Sequence, residues 1–244
     1  MPNKSEVVPV MGIHFISLSR QEFLDQKLYP VLDHGGKCFV VTANPDITMQ
    51  AKENADFRRA VTASDYVVPD GAGIVLASKY LKRPVAERIP GYELMVDVLA
   101  YANENRLPCY FLGAKEDVNA QMVQEVTRHY PNIPIAGRHH GFFELDDEQV
   151  ARDVLAAAPA IVFVALGAPR QETWISKYMD QFDKGLFMGV GGSFDVFTGN
   201  VKRAPEAWIQ LNLEWLYRLL KQPFRWKRIW KSLKFMLYVL WKKE

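Results

Sequence analysis

A layered α/β fold is what the sequence predicts: a Rossmann-like, mostly parallel sheet flanked by helices, followed by a helical, membrane-associating C-terminal appendage. Three observations point there. Short apolar runs rich in Val, Ile and Phe alternate with amphipathic stretches between residues 37 and 190. Several of those runs are continuously apolar, as parallel strands buried on both faces are. Beyond Ala204 the pattern changes to two helical stretches crowded with Trp, Lys and Arg.

In chain order, a β-rich piece at 7–18 reads as a hairpin or edge element. Strands are expected at 37–42, 66–68, 109–112, 133–136, 161–166 and 186–190. Helices are expected at 47–61, 72–80, 92–105, 118–129, 147–157 and 171–182. Two further helices, 206–221 and 225–242, flank Pro223, which breaks or kinks the path between them. The expected division is a catalytic domain at 1–203 and an appendage at 204–244, a size suited to one substantial α/β domain and a small annex.

Apolar residues make up 49% of the chain, enough for a packed core and against disorder. The net charge of +2 hides an asymmetry: from Lys202 onward eleven basic residues face three acidic ones, so a mildly acidic body carries a basic tail. An anionic partner surface follows, membrane or nucleic acid. Cys38 and Cys109 sit in apolar runs and read as buried thiols, with no support for a disulfide framework or zinc site. No signal peptide is evident and no apolar segment approaches the ~20 residues that span a bilayer, so a cytoplasmic location is expected.

Ligands of open α/β sheets bind beyond the carboxyl ends of the strands, and here those ends are polar and glycine-containing. They read Thr42-Ala43-Asn44-Pro45-Asp46, Pro69-Asp70-Gly71-Ala72-Gly73, Leu112-Gly113-Ala114, Ala165-Leu166-Gly167-Ala168-Pro169-Arg170-Gln171-Glu172 and Gly189-Val190-Gly191-Gly192-Ser193-Phe194-Asp195. Any one glycine pair serves a tight turn as readily as a ligand. None matches the Gly-x-Gly-x-x-Gly fingerprint or a Gly-Lys-Ser/Thr phosphate loop, which disfavours dinucleotide and nucleoside-triphosphate chemistry. Asp70 precedes a helix start and reads either as an N-cap or as a general base taking a proton from an attacking hydroxyl. His139-His140 point apart on a strand and make no metal site alone. The run Glu144-Leu145-Asp146-Asp147-Glu148 reads as a solvated helix start. With no Asp-x-Asp for a metal-bound diphosphate, Arg or Lys must neutralise a leaving phosphate; no metal and no cofactor are expected.

Five of the six tryptophans lie in the appendage, and Trp226, Trp230, Leu233, Leu237 and Trp241 share one face of its last helix, flanked by Lys227, Lys231 and Lys234. That describes a helix lying in a membrane interface. Its alternatives are a helix packing its Trp face on the core or a partner subunit, and single-strand nucleic-acid binding, which the acidic body fits less well. A second row, Arg218, Lys221, Arg225 and Arg228, suits lipid headgroups or a diphosphate.

Together these motifs, with Val201-Lys202-Arg203-Ala204-Pro205 and Glu214-Trp215-Leu216-Tyr217-Arg218, resemble the WecG/TagA/CpsF family of bacterial glycosyltransferases over nearly the whole chain. The resemblance implies an inverting, metal-independent transferase. It would move a sugar (N-acetylmannosamine, its uronic acid or another hexose) from a UDP-sugar to a sugar on an undecaprenyl-diphosphate lipid. By motif position it makes Asp70 the base. Thr42, Asn44, Arg88 and Gln171 would line the pocket, with Gly113, Gly191 and Gly192 in its loops. Arg218, Arg225 and Arg228 would complete the site and address the enzyme to the inner face of the cell membrane. A non-catalytic sugar-nucleotide or lipid-binding regulator is the alternative of a different class. Nucleic acid is not an expected partner, and self-association is left open.

Overall fold

The computed structural model of the chain describes residues 6–205, 208, 216, 217, 219 and 226–242, with side chains in the last stretch from 230 to 241. β1 (Val7–Val10) and β2 (Ile13–Ile16) form the expected antiparallel hairpin. Ser19 and Glu22 then cap α1 (Arg20–Phe23) reciprocally, and the chain winds through 24–28 into α2 (Tyr29–Asp33). The alternation continues with β3 (Lys37–Ala43), α3 (Pro45–Glu53), α4 (Ala55–Thr62), β4 (Tyr66–Pro69), α5 (Ala72–Tyr80) and α6 (Gly91–Asn105). Then follow β5 (Cys109–Gly113), α7 (Glu116–His129), β6 (Ile135–His139), α8 (Glu148–Ala156), β7 (Ile161–Ala165), α9 (Arg170–Tyr178), β8 (Gly185–Gly189) and α10 (Ser193–Phe197). The last described helix is α11 (Trp226–Lys242).

The eight strands make one sheet in the order β1-β2-β4-β3-β8-β7-β5-β6, parallel throughout except for the hairpin. Side chains of β3 alternate between its two faces: Phe39 and Val41 enter one core layer, Cys38 and Val40 the other. The first layer is closed by α3, α4, α5, α8, α9 and α11, the second by α1, α2, α6, α7 and α10. Cys38 and Cys109 are buried and unpaired, and burial pushes both thiols up in pKa.

The single helix expected at 47–61 is two helices. Asn54 leaves the helical region at φ −128°, ψ 112°, and its side chain caps α4 by accepting from Asp56 and Phe57 N–H. The strand expected at 133–136 begins later, because Ile133 N–H is spent in a turn on Tyr130 and Pro134 has no N–H to give. α9 stops at Tyr178 and gives way to a tighter turn over Met179–Gln181.

α11 lies along α3 and α5. Phe235 and Val239 are buried in the first core layer, Lys231 pairs with Asp46 at 3.2 Å, and Lys52 bonds Tyr238. The opposite stripe stays in solvent, with Trp230 54%, Leu233 52%, Leu237 62% and Trp241 91% exposed. These four side chains of the Trp face are therefore largely unpacked on the body of this chain. Among the described residues no helix is long and apolar enough to cross a membrane.

Candidate active site

The carboxyl ends of β4, β3, β8, β7 and β5 lie on consecutive strands, so the five polar loops leave one edge of the sheet side by side. Ala43 pairs with Pro69 in parallel register, and Asp70 N–H donates to Ala43 O at 2.9 Å. Asp70 and Asn44 thus leave their strands as neighbours. Asp70 is half-buried and followed by Gly71 at φ +110°, a conformation a Cβ would strain, which turns the chain directly into α5. Asn44 caps α3 by accepting from Ile47 N–H at 3.0 Å. Asn44 is therefore the start of a helix at this edge, a contact worth about 1 kcal/mol.

Thr42 is nearly buried, and its hydroxyl donates to Gly189 O at 3.2 Å, tying β3 to the end of β8. A Cβ on Gly91 would lie 3.0 Å from that hydroxyl, so α6 starts against Thr42. Ile89 N–H donates to Pro69 O at 2.9 Å and pins the segment carrying Arg88 beside the loop of Asp70. Arg203 pairs with Glu93 and lies over the Tyr92 ring at 4.8 Å, fastening the 201–205 motif to the start of α6.

On the other side, Gly113 sits at φ +121°, where a Cβ would meet Ala165 backbone at 2.5 Å; only glycine lets β5 and β7 end so close together. Asn119, fully buried, donates to the carbonyls of Phe111, Gly113 and His139 and so holds the β5 and β6 ends. Sequence reasoning missed it, since an Asn inside an amphipathic helix carries no visible signal of burial.

Gln171 is 2% exposed. Its Oε1 accepts from Gly167 N–H at 3.1 Å and from Gly191 N–H at 3.0 Å, while Nε2 donates to Glu172 Oε1 at 2.8 Å. It joins the loop after β7 to the loop after β8. Burial, opposed by hydrogen bonds that include the one from Gln171, pushes the Glu172 carboxyl up to about 7. Gly191 is half-buried and Gly192 exposed at the same edge.

Thr42, Asn44, Asp70, Gly113, Gln171, Gly191 and Gly192 thus come to one edge, with the Arg88 segment beside them. Arg218 and Arg225 lie outside the described residues, and Arg228 is described only as a backbone position in α11. Among the described residues, no three His, Cys, Asp or Glu side chains come together as a metal-ligand set. A cavity of about 600 Å3 lined by Met11, Tyr80, Lys82 and Arg83 opens at the opposite edge, by the hairpin turn and the end of α5.

The pattern of the Glycosyl transferase WecG/TagA/CpsF family matches residues 8–244. With the layered sheet and its five-loop edge, the match defines a glycosyltransferase. An N-acetylglucosaminyldiphosphoundecaprenol N-acetyl-beta-D-mannosaminyltransferase of Bacillus spizizenii (strain W23) is 39% identical over 232 residues, covering 95% of this chain and 90% of that protein. Proteins of the same name from Bacillus subtilis (strain 168) and Staphylococcus aureus (strain MRSA252) are 40% identical over 226 residues and 38% over 234. The first alignment covers 93% of this chain and 85% of its relative, the second 95% and 91%. The chain belongs to the WecG/TagA/CpsF family.

Proposed function

We propose that the protein is an inverting, metal-independent transferase that moves N-acetylmannosamine from a UDP-sugar to N-acetylglucosamine on an undecaprenyl-diphosphate lipid, for cell-surface polymer synthesis. The reaction named for its relatives supports the choice of sugar and acceptor. The observation that carries the chemistry is the placement of Asp70: a half-buried carboxylate at the sheet edge, beside Asn44 and the Arg88 segment.

An acceptor hydroxyl oxygen attacks the anomeric carbon on the face opposite the UDP. The C–O bond to the diphosphate breaks and its electron pair leaves with UDP, while the hydroxyl proton passes to the Asp70 carboxylate and then to solvent. Inversion follows from the opposed faces. Arg88 and N–H groups of the glycine-containing loops stabilise charge growing on the diphosphate. Arg218, Arg225 and Arg228 supply further guanidinium groups from the appendage at 204–244, and α11 holds the enzyme on the anionic cytoplasmic face of the membrane.

Turnover of a UDP-sugar panel with a short-chain prenyl-diphosphate N-acetylglucosamine acceptor, in EDTA and in added Mg2+, tests the reading. UDP release with the N-acetylmannosamine donor, equal in both buffers, is the expected result. Asp70→Asn lowers kcat by roughly 10²–10⁴ and leaves UDP affinity within a few-fold. UDP binding by the unaltered protein without turnover on any donor would mean a regulatory protein instead.

A further inference from the structure

We infer that Glu172 is a positioning residue: by accepting from Gln171 Nε2 it fixes the amide whose oxygen clamps the loops after β7 and β8 together. The inference rests on the proposed reading of those loops as the donor-binding edge. Glu172 is 1% exposed, and its Oε2 has no hydrogen-bond partner among the described residues. Among the described residues, the hydrogen bond its side chain accepts from another side chain is the 2.8 Å one from Gln171 Nε2.

A carboxamide can be seated two ways round. In the observed one, a single oxygen takes two N–H groups, those of Gly167 and Gly191. Turned over, the NH2 group would face both of those donors and its oxygen would face the Glu172 oxygen. Glu172 makes the second seating unfavourable and satisfies an N–H that would otherwise be buried without a partner. The clamp reaches further: a Cβ on Gly189 would lie 2.7 Å from Gln171 Nε2, and Gly189 O accepts the Thr42 hydroxyl. The amide thus sits where β3, β7 and β8 end, and its orientation sets how far apart their loops stand. The Arg170-Gln171-Glu172 order supplies both parts, since α9 begins there and carries the pair down into the core.

Glu172→Met and Glu172→Gln test this in the full-length protein. Methionine keeps the volume and removes the acceptor; glutamine keeps an acceptor oxygen. The expected result for Glu172→Met is amide exchange at Gly167 and Gly191 faster by at least roughly tenfold, UDP bound roughly tenfold more weakly, and exchange in β3 and β5 unchanged. Glu172→Gln restores both loop readouts to within about threefold. Unchanged loop exchange in a folded Glu172→Met, or equal loosening in both variants, would overturn the inference. If Glu172→Met does not fold, the unaltered protein decides. The Gln171 side-chain NH2, assigned by its loss in Gln171→Met, is expected to be strongly protected from exchange, and free exchange there would refute the clamp. Wild-type protein that binds no UDP but protects these groups would sink the proposed function and leave the clamp standing.

Discussion

Glu172 carries a second consequence, in stability rather than geometry. Burial raises its carboxyl from the ordinary 4.5 to about 7, against the opposing pull of its hydrogen bonds. The folded protein therefore keeps this proton through a range where the unfolded chain has released it. Below pH 4.5 both states hold the proton and the group costs nothing. As pH rises from there to about 7 the unfolded state binds fewer protons, so stability falls, by up to about 3 kcal/mol, and the deficit persists above. Glu172→Gln has no such titration. Its advantage in unfolding free energy over the unaltered protein, measured in urea, should widen from pH 5 to pH 8; a constant difference would contradict the assignment. Either protonation state leaves an oxygen to accept from Gln171, so the clamp survives the transition. At this scale the sequence was readable for the placement of Asp70 and Asn44 at one edge, because parallel strands bring their carboxyl ends there whatever their order. It was not readable for Glu172 or Asn119. Gln171 was expected beside the pocket, and only the folded layers show that it and Glu172 both turn inward.

Elements were legible where one interaction dominates and illegible where a side chain intervenes. Continuous apolar runs mark β3, β5, β7 and β8 because burial on both faces leaves no polar positions. The break between α3 and α4 is invisible to periodicity, since it depends on Asn54 offering its oxygen to two N–H groups. α11 shows both sides of this. Its Trp and Leu stripe stands out at helical spacing, yet the stripe that docks it is the quieter one, Phe235 and Val239. Phe235 is fully buried on α11, so Phe235→Ala should release that helix before it unfolds the body. The local loss is about 3–5 kcal/mol for a buried Phe truncated to Ala. Amides of α11 should then exchange freely while those of β3, β7 and β8 remain protected. Uniform loss of protection across sheet and helix would show instead that α11 is integral to the core.

For the whole molecule, strand order was beyond the sequence, because alternating elements fix neither which strands are neighbours nor where a terminal helix returns. The answer gives the molecule a direction. Lys231 meets Asp46 at the start of α3 and Tyr238 meets Lys52 near its end, so α11 runs beside α3 from the five-loop edge toward the opposite edge. Its exposed Trp230, Leu233, Leu237 and Trp241 follow that path, and Leu76 and Tyr80 of α5 are exposed on the helix next to it. Tyr80 hydroxyl donates to Leu240 O at 3.4 Å, joining the two helices at the far end. Lys79 and Lys234 are exposed on the same pair of helices, charges suited to anionic lipid at about 1 kcal/mol each. A protein seated on a bilayer by this flank would hold its five-loop edge beside the headgroups, where a diphosphate-linked sugar stands clear of the hydrocarbon. The double substitution Trp230→Glu with Leu237→Glu touches only exposed positions, so the fold should persist. Each apolar side chain withdrawn from lipid forfeits about 1.5–3 kcal/mol. Flotation with phosphatidylglycerol vesicles should therefore fall by more than tenfold, with turnover on a water-soluble short-chain acceptor retained and turnover on the full-length lipid in vesicles lost. Undiminished flotation would place the membrane contact elsewhere on the protein. Lost turnover on both acceptors would mean that the stripe serves the site rather than the lipid surface.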